Sequence, residues 1–385
     1  MPLRWSGCSS TRRCRPPYTT GMGSVIRNLF ISAIRLPLPY PYPEGRDMPG
    51  IQHRVMKVIA LTLGAATVLS GCASNVAESK PTAASEGAIV VEHAYGTLEL
   101  GSAPERVITL GLLETDVAVN LGITPVAIAK FFATADGVAP WLAPELDDVP
   151  EIIDTTTTGA NGAELDVESI AALKPDVIIA TTYSQLSQYY DQLSAIAPVL
   201  GPSDKNYLQL PWRDQTRAIA AALGLSDEVE ARIDLVEEQL ATAAADNAVT
   251  DGHDYTLSLG TPDQIKVMND PADASVEVMN AFGMTFSTTA AALPGLGDGS
   301  GSAGVSEENI AALDADIVMI GYFGADTRTF WESSTLFQEL SAVKDGGYIA
   351  MDLSDSTALR NPSPLSIPYV IQSVIVEQIV PALQG

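Results

Sequence analysis

The stretch Glu168–Ala180, ESIAALKPDVIIA, returns in the second half of the chain as Glu308–Ile320, ENIAALDADIVMI. Six of the first ten positions are identical, and Val177 is matched conservatively by Ile317. In both copies a helical pattern leads directly into an apolar run, the order expected of a helix followed by a buried strand. The repeat therefore predicts two similar lobes.

Apolar runs alternate with helical patterns around each copy. Strands are predicted at Val107–Leu110, Pro125–Ala129 and Asp176–Ala180, and Tyr255–Gly260 resembles the first of them in the second half. Strands that are apolar throughout and separated by helices are typical of parallel sheets covered on both faces. We predict an α/β fold of two Rossmann-like lobes, opened by a hairpin over Ile89–Leu100, with a ligand cleft between the lobes.

A helical connector is predicted between the lobes. Pro211 suits the first turn of one helix, Gly224 suits its end, and Ser226 suits the N-cap of the next. The second helix has an apolar stripe at positions i, i+4, i+7 and i+11, namely Val229, Ile233, Val236 and Leu240. A helix from Ser226 to Ala245 would be about 30 Å long. It could brace both lobes and limit their closure on a ligand to a modest hinge.

The N-terminal segment has the pattern of an export signal. Met1–Asp47 has no lasting periodicity, and we interpret it as a start placed upstream of the true one. Basic residues up to Lys57 precede the apolar run Val58–Leu69, which is too short to span a bilayer. The next residues, through Ser70 and Gly71 to Cys72, resemble a lipobox, in which the cysteine is lipidated; a buried helix ending in a chance cysteine is the alternative.

The chain therefore divides into five predicted segments. They are a leader over 1–71, a flexible tether over 72–88, an N-terminal lobe over 89–210, connecting helices over 211–246 and a C-terminal lobe over 247–385. Cys72 is the only cysteine after the leader. The exported part is thus expected to contain neither a disulfide nor a thiol site.

Charge is divided unevenly along the chain. The whole sequence carries a formal charge of −26, but the 12 basic and 45 acidic residues after Lys57 give that part −33. Such a surface repels phosphate backbones, which excludes nucleic acid as a partner. It favours solubility, a basic docking partner and a neutral or cationic ligand.

Several short stretches resemble the helical-backbone class of ABC substrate-binding proteins for siderophores, haem and cobalamin. Besides the lipobox, they are Pro104–Leu110, Leu121–Val126, Leu173–Ala180 and Pro364–Tyr369. Tyr190–Val199 and Trp212–Arg217 resemble the iron–siderophore branch, and the resemblance extends over Ile89–Leu383. It implies an extracytoplasmic, lipid-anchored monomer that captures a ferric siderophore and delivers it to the ABC permease subunits.

The sequence gives little support to a metal site, a dinucleotide-binding loop or a catalytic site. His93 and His253 are isolated from each other, so a metal site is not expected. The glycine-rich Gly295–Gly301 follows Ala290–Pro294 rather than a strand, unlike a dinucleotide-binding loop. No nucleophile elbow or grouping of acid, base and nucleophile is present. We predict neither an enzyme nor a cofactor.

Candidate ligand residues follow the strands, because ligands of open α/β sheets lie beyond the carboxyl ends of strands. Phe131–Phe132, Thr182–Tyr183 and Tyr322–Phe323 occupy such places, and Tyr183 and Phe323 hold equivalent positions in the two copies of the repeat. Aromatic rings suit a bulky, partly apolar chelate. The selected ligand residues are Phe131, Tyr183, Trp212, Arg213, Tyr322, Phe323, Arg328 and Arg360.

These candidates have alternative roles. Some of the rings could fill the lobe cores, and the arginines, Arg328 above all, could pair with surface acids. Guanidinium groups bind hydroxamate, carboxylate or catecholate oxygens, and the resemblance places a ligand-stacking tryptophan at Trp212. The small number of cations favours a neutral or cationic ferric hydroxamate over a triply anionic ferric catecholate.

Glu168 and Glu308 form an equivalent pair in the two copies of the repeat. Each comes two residues after a predicted N-cap, Asp166 or Ser306, where a negative charge stabilises a helix. The resemblance implies a further role, docking on basic residues of the permease through one glutamate per lobe. Capping and docking can coexist.

Other functions remain open at this stage. Cobalamin or haem could replace the siderophore, and Tyr183, Tyr322 or Met268 could supply an axial ligand to haem. A surface-anchored adhesin would need no cleft, and an enzyme on this fold would need paired catalytic groups.

Overall fold

The structure is a computed structural model, and it describes residues 88–155, 164–297 and 300–385. The leader, Cys72 and nearly all of the tether lie outside the described residues. The described chain opens with the predicted hairpin of β1 (Ile89–His93) and β2 (Gly96–Leu100), which are antiparallel. Gly96 adopts a φ of 147° at its turn, a value that favours glycine.

The N-terminal lobe contains a five-stranded parallel sheet. Its strands are β3 (Val107–Thr109), β4 (Ala127–Ala129), β5 (Glu151–Ile153), β6 (Val177–Ile179) and β7 (Val199–Leu200). Their order is β5-β4-β3-β6-β7. The helices are α1 (Leu112–Asn120), α2 (Val167–Ala172) and α3 (Leu186–Ser194). All residues of β3, β4 and β6 are buried, so the covered parallel sheet is confirmed for this lobe.

Two helices follow the first lobe, α4 (Trp212–Leu223) and α5 (Val229–Asp246). Gly224 ends α4 in the left-handed conformation, as predicted. The predicted stripe of α5 is confirmed, since its buried residues are Val229, Ile233, Val236 and Leu240. The predicted cap is wrong: Ser226 lies in the preceding turn, and Glu228 occupies the N-cap position without a capping side-chain bond. The 18 residues of α5 span about 27 Å.

The C-terminal lobe contains a mixed sheet. Its strands are β8 (Asp254–Gly260), β9 (Ile265–Met268), β10 (Thr285–Phe286), β11 (Ser302–Val305), β12 (Ile317–Tyr322) and β13 (Tyr348–Met351). The order is β11-β9-β8-β12-β13, with β10 beside the start of β8. β9 is antiparallel to β8 and β11 because a tight turn, closed by Thr261 N–H donating to the Gln264 carbonyl at 2.9 Å, replaces the helix after β8.

The helices of this lobe surround the sheet. They are α6 (Ala274–Ala281), α7 (Thr288–Ala291), α8 (Ala325–Glu332), α9 (Thr335–Gln338), α10 (Ser341–Asp345) and α11 (Leu353–Arg360). The chain ends in α12 (Ser366–Val370), a π-helical stretch over Ile371–Ile379 and α13 (Val380–Gln384). The second copy of the repeat forms a 3-10 helix, Glu307–Leu313, before β12. β6 and β12 begin at equivalent positions of the repeat, Val177 and Ile317, and both lie inside their sheets.

One apolar cluster connects the lobes and the connector. Phe131 and Trp141 from the N-terminal lobe, Trp212 and the α5 stripe, and Tyr255 from the C-terminal lobe all belong to it. The segment Ser366–Gln384 is long and apolar enough to cross a membrane by length and composition. Its fully buried residues belong to the same cluster, and they are Ile367, Val370, Val374, Ile375 and Ile379. Packing against this cluster accounts for the apolar character of the segment.

Candidate ligand-binding site

The carboxyl ends of the strands of both lobes border one cleft. Two adjoining cavities of about 340 and 280 Å³ form it, the larger lined mainly by the C-terminal lobe and the smaller mainly by the N-terminal lobe. Phe132, Thr357 and Asn361 line both cavities, so the two cavities adjoin at these residues. The predicted arrangement, in which the binding edges face each other, is therefore present.

Two phenylalanines meet across the mouth of this cleft. The ring of Phe132, shortly after the end of β4, lies 6.1 Å from the ring of Phe323, which follows β12. The two residues are 41% and 40% exposed, unusual for rings of this size. A flat apolar ligand could cover both rings at once.

Three of the predicted aromatic residues are more deeply buried. Phe131 borders the smaller cavity, but its ring packs edge-on against Trp141 at 5.3 Å inside the interlobe cluster. Tyr183 borders the same cavity and donates to the Gln185 side chain at 3.3 Å, and burial raises the pKa of Tyr183 to about 12. Tyr322 points into the core of its lobe, where its hydroxyl pairs with that of Tyr348 at 2.9 Å.

Tyr322 is therefore corrected to a core position, whereas Phe131 borders the smaller cavity with its ring buried in the interlobe cluster. In each case the next residue, Phe132 in a turn or Phe323 in a bend, carries the exposed ring.

Trp212 is also corrected, because it is fully buried in the interlobe cluster. The guanidinium of Arg213 lies over its ring at 4.8 Å and pairs with Glu237 of α5 and Glu277 of α6. This arrangement joins the connector to the C-terminal lobe. It leaves the indole no exposed face for a ligand.

Trp212→Ala is expected to lower the free energy of unfolding by about 3–5 kcal/mol, the usual cost of truncating a buried tryptophan. Urea unfolding monitored by circular dichroism measures the change. A variant of unchanged stability that had lost ligand affinity would contradict the core assignment of Trp212 and restore its role in stacking.

The three predicted arginines differ in their placement. Arg328 pairs with Glu332 one turn along α8 at 2.7 Å, which is the surface pairing left open by the sequence. Arg360 lines the larger cavity and donates to the nearly inaccessible Asp273 carboxylate at 2.8 Å and to the Ser300 carbonyl at 3.2 Å. Of the three, only Arg360 is among the described residues that line the cleft.

Other residues of the cleft were not selected from the sequence. Lys130 directly follows β4 and pairs with Asp154 at 2.9 Å, and Lys266 lies in β9. Ser300, in the glycine-rich stretch Gly295–Gly301, forms part of the wall, and so does Asn361. The position of Lys130 directly after a strand was a usable signal, whereas nothing local in the sequence distinguishes Asn361.

Two buried carboxyl groups lie on α1, close behind the N-terminal half of the cleft. Glu114 accepts hydrogen bonds from the Thr182 hydroxyl at 2.6 Å and the Thr181 hydroxyl at 3.2 Å, and burial raises its pKa. Asp116 accepts hydrogen bonds from Trp141 Nε1 at 2.8 Å and from the Ser363 hydroxyl at 2.5 Å. Burial raises the pKa of Asp116 to about 7.

Asp116→Asn is expected to flatten the pH dependence of stability between about pH 5 and 7. The pKa of Asp116 is about 7 in the folded chain and near 3.8 ordinarily, so the folded state keeps a proton that the unfolded state has lost. Stability from this group therefore falls by about 1.4 kcal/mol per pH unit as the pH rises through that window.

Urea unfolding of both proteins at several pH values measures this slope. Glu114, whose raised pKa acts in the same direction, is present in both, so the difference isolates Asp116. Equal slopes would contradict the assignment.

The two predicted docking glutamates lie at the surface, one in each lobe. Glu168 is exposed in the first turn of α2, where Asp166 caps the helix by accepting from Ser169 N at 3.0 Å, as predicted. Glu308 is exposed in the first turn of its 3-10 helix, but Ser306 makes no capping bond, so that prediction is wrong. In chain order the two helices come after β5 and β11, which are outer strands of their sheets.

The histidines stand apart from the cleft. His93 is largely buried in the opening hairpin beside Tyr190, and its pKa is lowered chiefly by burial. The Nδ1 atom of His253 lies 2.9 Å from the Asp316 carboxylate. Within the described ranges, no group of three or more histidine, cysteine, aspartate or glutamate side chains could hold a metal ion.

Known proteins resemble this chain over most of its length. The putative ABC transporter substrate-binding lipoprotein YhfQ of Bacillus subtilis (strain 168) is 26% identical over 302 residues, which cover 77% of this chain and 90% of YhfQ. The Fe(3+)-citrate-binding protein YfmC of the same organism is 25% identical over 310 residues, 80% of this chain and 92% of YfmC.

Solved structures also resemble this chain over most of its length. A periplasmic solute binding protein from Mycobacterium smegmatis is 26% identical with a TM-score of 0.65, covering 78% of this chain and 99% of that one. PiaA from Streptococcus pneumoniae TIGR4, solved in complex with ferrichrome, is 25% identical with a TM-score of 0.64, covering 77% and 99%. The model of the periplasmic binding protein family matches residues 107–352. This chain, with its two α/β lobes and shared cleft, belongs to the periplasmic binding protein family.

Proposed function

We propose that the chain is the extracytoplasmic binding subunit of an ABC importer and that it captures a ferric siderophore between its lobes. The observation that carries this proposal is the shared cleft, with Phe132 and Phe323 at its mouth and Arg360 in its wall. The names of YhfQ and YfmC support it, as does the ferrichrome complex of PiaA. No catalytic step is part of the proposal.

The charges beside the cleft favour a neutral or cationic ligand. Lys130 and Arg360 each have an aspartate partner, Asp154 and Asp273. A triply anionic ferric catecholate would have to displace these carboxylates or accept their repulsion. A ferric hydroxamate such as ferrichrome, with an apolar periphery for the two phenylalanines, fits better.

Lipid attachment and permease docking complete the proposal. A lipid on Cys72 would hold the domain outside the membrane on its tether, as the names of lipoprotein relatives such as YhfQ suggest. Glu168 and Glu308 would contact basic residues of the permease subunits, one from each lobe. Their exposure supports this role.

Haem is less well supported than a siderophore. Of the three axial ligands considered, Tyr322 bonds Tyr348 in the core, and Met268 is fully buried with its sulfur accepting from Ser275 at 3.3 Å. Only Tyr183 borders the cleft.

Quenching of intrinsic tryptophan fluorescence tests the ligand class. Trp141 lies behind Phe131 at the edge of the cleft and provides the signal. We expect saturable quenching by ferrichrome and ferrioxamine, and weaker responses to a ferric catecholate, ferric dicitrate, haem and cobalamin. Saturation by haem or cobalamin alone would replace the siderophore proposal, and no response to any probe would contradict the binding function.

A further inference from the structure

A single buried carboxylate joins the two lobes behind the cleft. Asp116 Oδ2 accepts one hydrogen bond from Trp141 in its own lobe and one from Ser363, which lies 247 residues further along the chain in the loop between α11 and α12. Asp116 and Ser363 are 1% and 0% exposed. Water is therefore excluded from this contact.

The contact continues into the cleft through a short series of hydrogen bonds. Ser363 Oγ also accepts from Ser366 N at 2.8 Å, and the Ser366 hydroxyl donates to the Asn361 carbonyl at 2.9 Å. The Asn361 side chain donates to the Thr357 carbonyl at 2.9 Å. Asn361 and Thr357 line both cavities, so the bonded groups lead from α1 of one lobe to the cleft wall of the other.

The side chains packed between the lobes near Asp116 are mostly apolar, and one further hydrogen bond, from Gln209 Nε2 to the Asp270 carboxylate, joins the lobes elsewhere. Phe131 and Trp141 pack with Ile367 and Val370 in the interlobe cluster, and Trp141 also meets Tyr369 at 5.5 Å. Apolar burial is non-directional, so these contacts hold the lobes together without specifying a hydrogen-bonding geometry. A hydrogen bond needs a defined distance and angle, and a buried carboxylate left without its donor costs more than the bond itself contributes.

We infer that Asp116 is a positioning residue, which fixes the 361–366 loop of the C-terminal lobe against α1 and thereby sets the shape of the cleft. The carboxylate does not contact the ligand. It determines where Asn361 and Thr357 stand relative to the N-terminal half of the cleft. This structural claim is independent of the ligand, whereas its effect on affinity rests on the proposed function.

The test compares three variants of the full chain. Asp116→Ala removes both hydrogen bonds. Asp116→Asn keeps them, because Asp116 Oδ2 accepts both bonds and the side-chain oxygen of asparagine can take its place. Thr115→Val is the matched control: Thr115 is a buried neighbour on α1 whose bonds, to the Gly111 carbonyl and Thr109, stay within the N-terminal lobe. If Asp116→Ala does not fold, Ser363→Ala, which removes the donor from the other side, replaces it.

Two measurements are made on each variant. Spin labels on cysteines introduced at the exposed Ser187 and Ala325 report the distance between the lobes, in a chain whose own cysteines, Cys8, Cys14 and Cys72, are replaced by serine. Titration with ferrichrome reports affinity. We expect Asp116→Ala to broaden the distance distribution between the lobes. If about a tenth of the molecules keep the arrangement that binds ligand, the ferrichrome dissociation constant rises about tenfold.

The controls decide the interpretation. Asp116→Asn should restore the wild-type distance and affinity, and Thr115→Val should lose stability while keeping both. A wild-type distance distribution in Asp116→Ala, or equal broadening in Thr115→Val, would overturn the inference. If the unaltered chain does not bind ferrichrome, the proposed ligand fails, and the distance measurement still decides the role of Asp116.

Discussion

Replacing Glu168 and Glu308 together with alanine is expected to abolish uptake of the iron chelate while leaving its affinity for the binding protein unchanged. Both side chains are exposed, one in each lobe. Truncating one partner of a buried charge pair costs about 2–5 kcal/mol, so each substitution should weaken docking about thirtyfold or more. Uptake of radiolabelled iron by cells, together with ferrichrome titration of the purified variant, measures the two quantities separately.

The matched control removes two exposed glutamates elsewhere in the chain. Glu99 lies in the hairpin strand β2, and Glu377 lies in the C-terminal helical segment. Glu99→Ala with Glu377→Ala makes the same change in net charge and should leave uptake normal. Loss of ligand affinity in the Glu168/Glu308 variant, or normal uptake by it, would contradict the docking role.

Removing the two rings at the mouth of the cleft is expected to cause the largest loss of ligand affinity. Phe132 and Phe323 are about two-fifths exposed in the structure and close enough to be covered by one bulky chelate. Aromatic residues that become buried at the centre of an interface typically contribute at least about 2 kcal/mol. Each alanine substitution should therefore raise the ferrichrome dissociation constant about thirtyfold or more.

Phe330 provides the control for this prediction. It is 50% exposed on α8 of the same lobe as Phe323, and it is absent from the described lining of the cleft. Phe330→Ala should bind ferrichrome like the unaltered chain. Wild-type affinity in both Phe132→Ala and Phe323→Ala would exclude the mouth of the cleft as the ligand site.

The repeat and the apolar periodicity predicted the architecture because both reflect which side chains are buried in the fold. The apolar runs became β3, β6 and β12, and the stripe from Val229 to Leu240 became the buried face of α5. The mixed second sheet was missed because the turn at Thr261–Gln264 replaces a helix. Strand propensity alone does not show with which other strand a given strand pairs.

The site was harder to predict, because its members are distinguished by exposure rather than by residue type. Phe131 and Phe132 are identical in chemistry and both border the smaller cavity, yet only Phe132 has an exposed ring. Trp212 and Arg213 are the residue types of a ligand site, yet the indole is buried and the guanidinium that covers it pairs with Glu237 and Glu277. Asn361 lines a cavity together with residues from a much earlier part of the chain, and local patterns do not encode that neighbourhood.

The cluster that runs through both lobes also has a kinetic consequence. Opening the lobes widely would expose Phe131, Trp141 and the Tyr369 ring that packs on Trp141 to water, at about 25 cal/mol for each Å² of apolar surface. The empty protein therefore keeps a nearly preformed cleft, and no slow rearrangement has to precede or follow encounter with the chelate. Observed association rates in stopped-flow experiments should then rise linearly with chelate concentration and show no plateau.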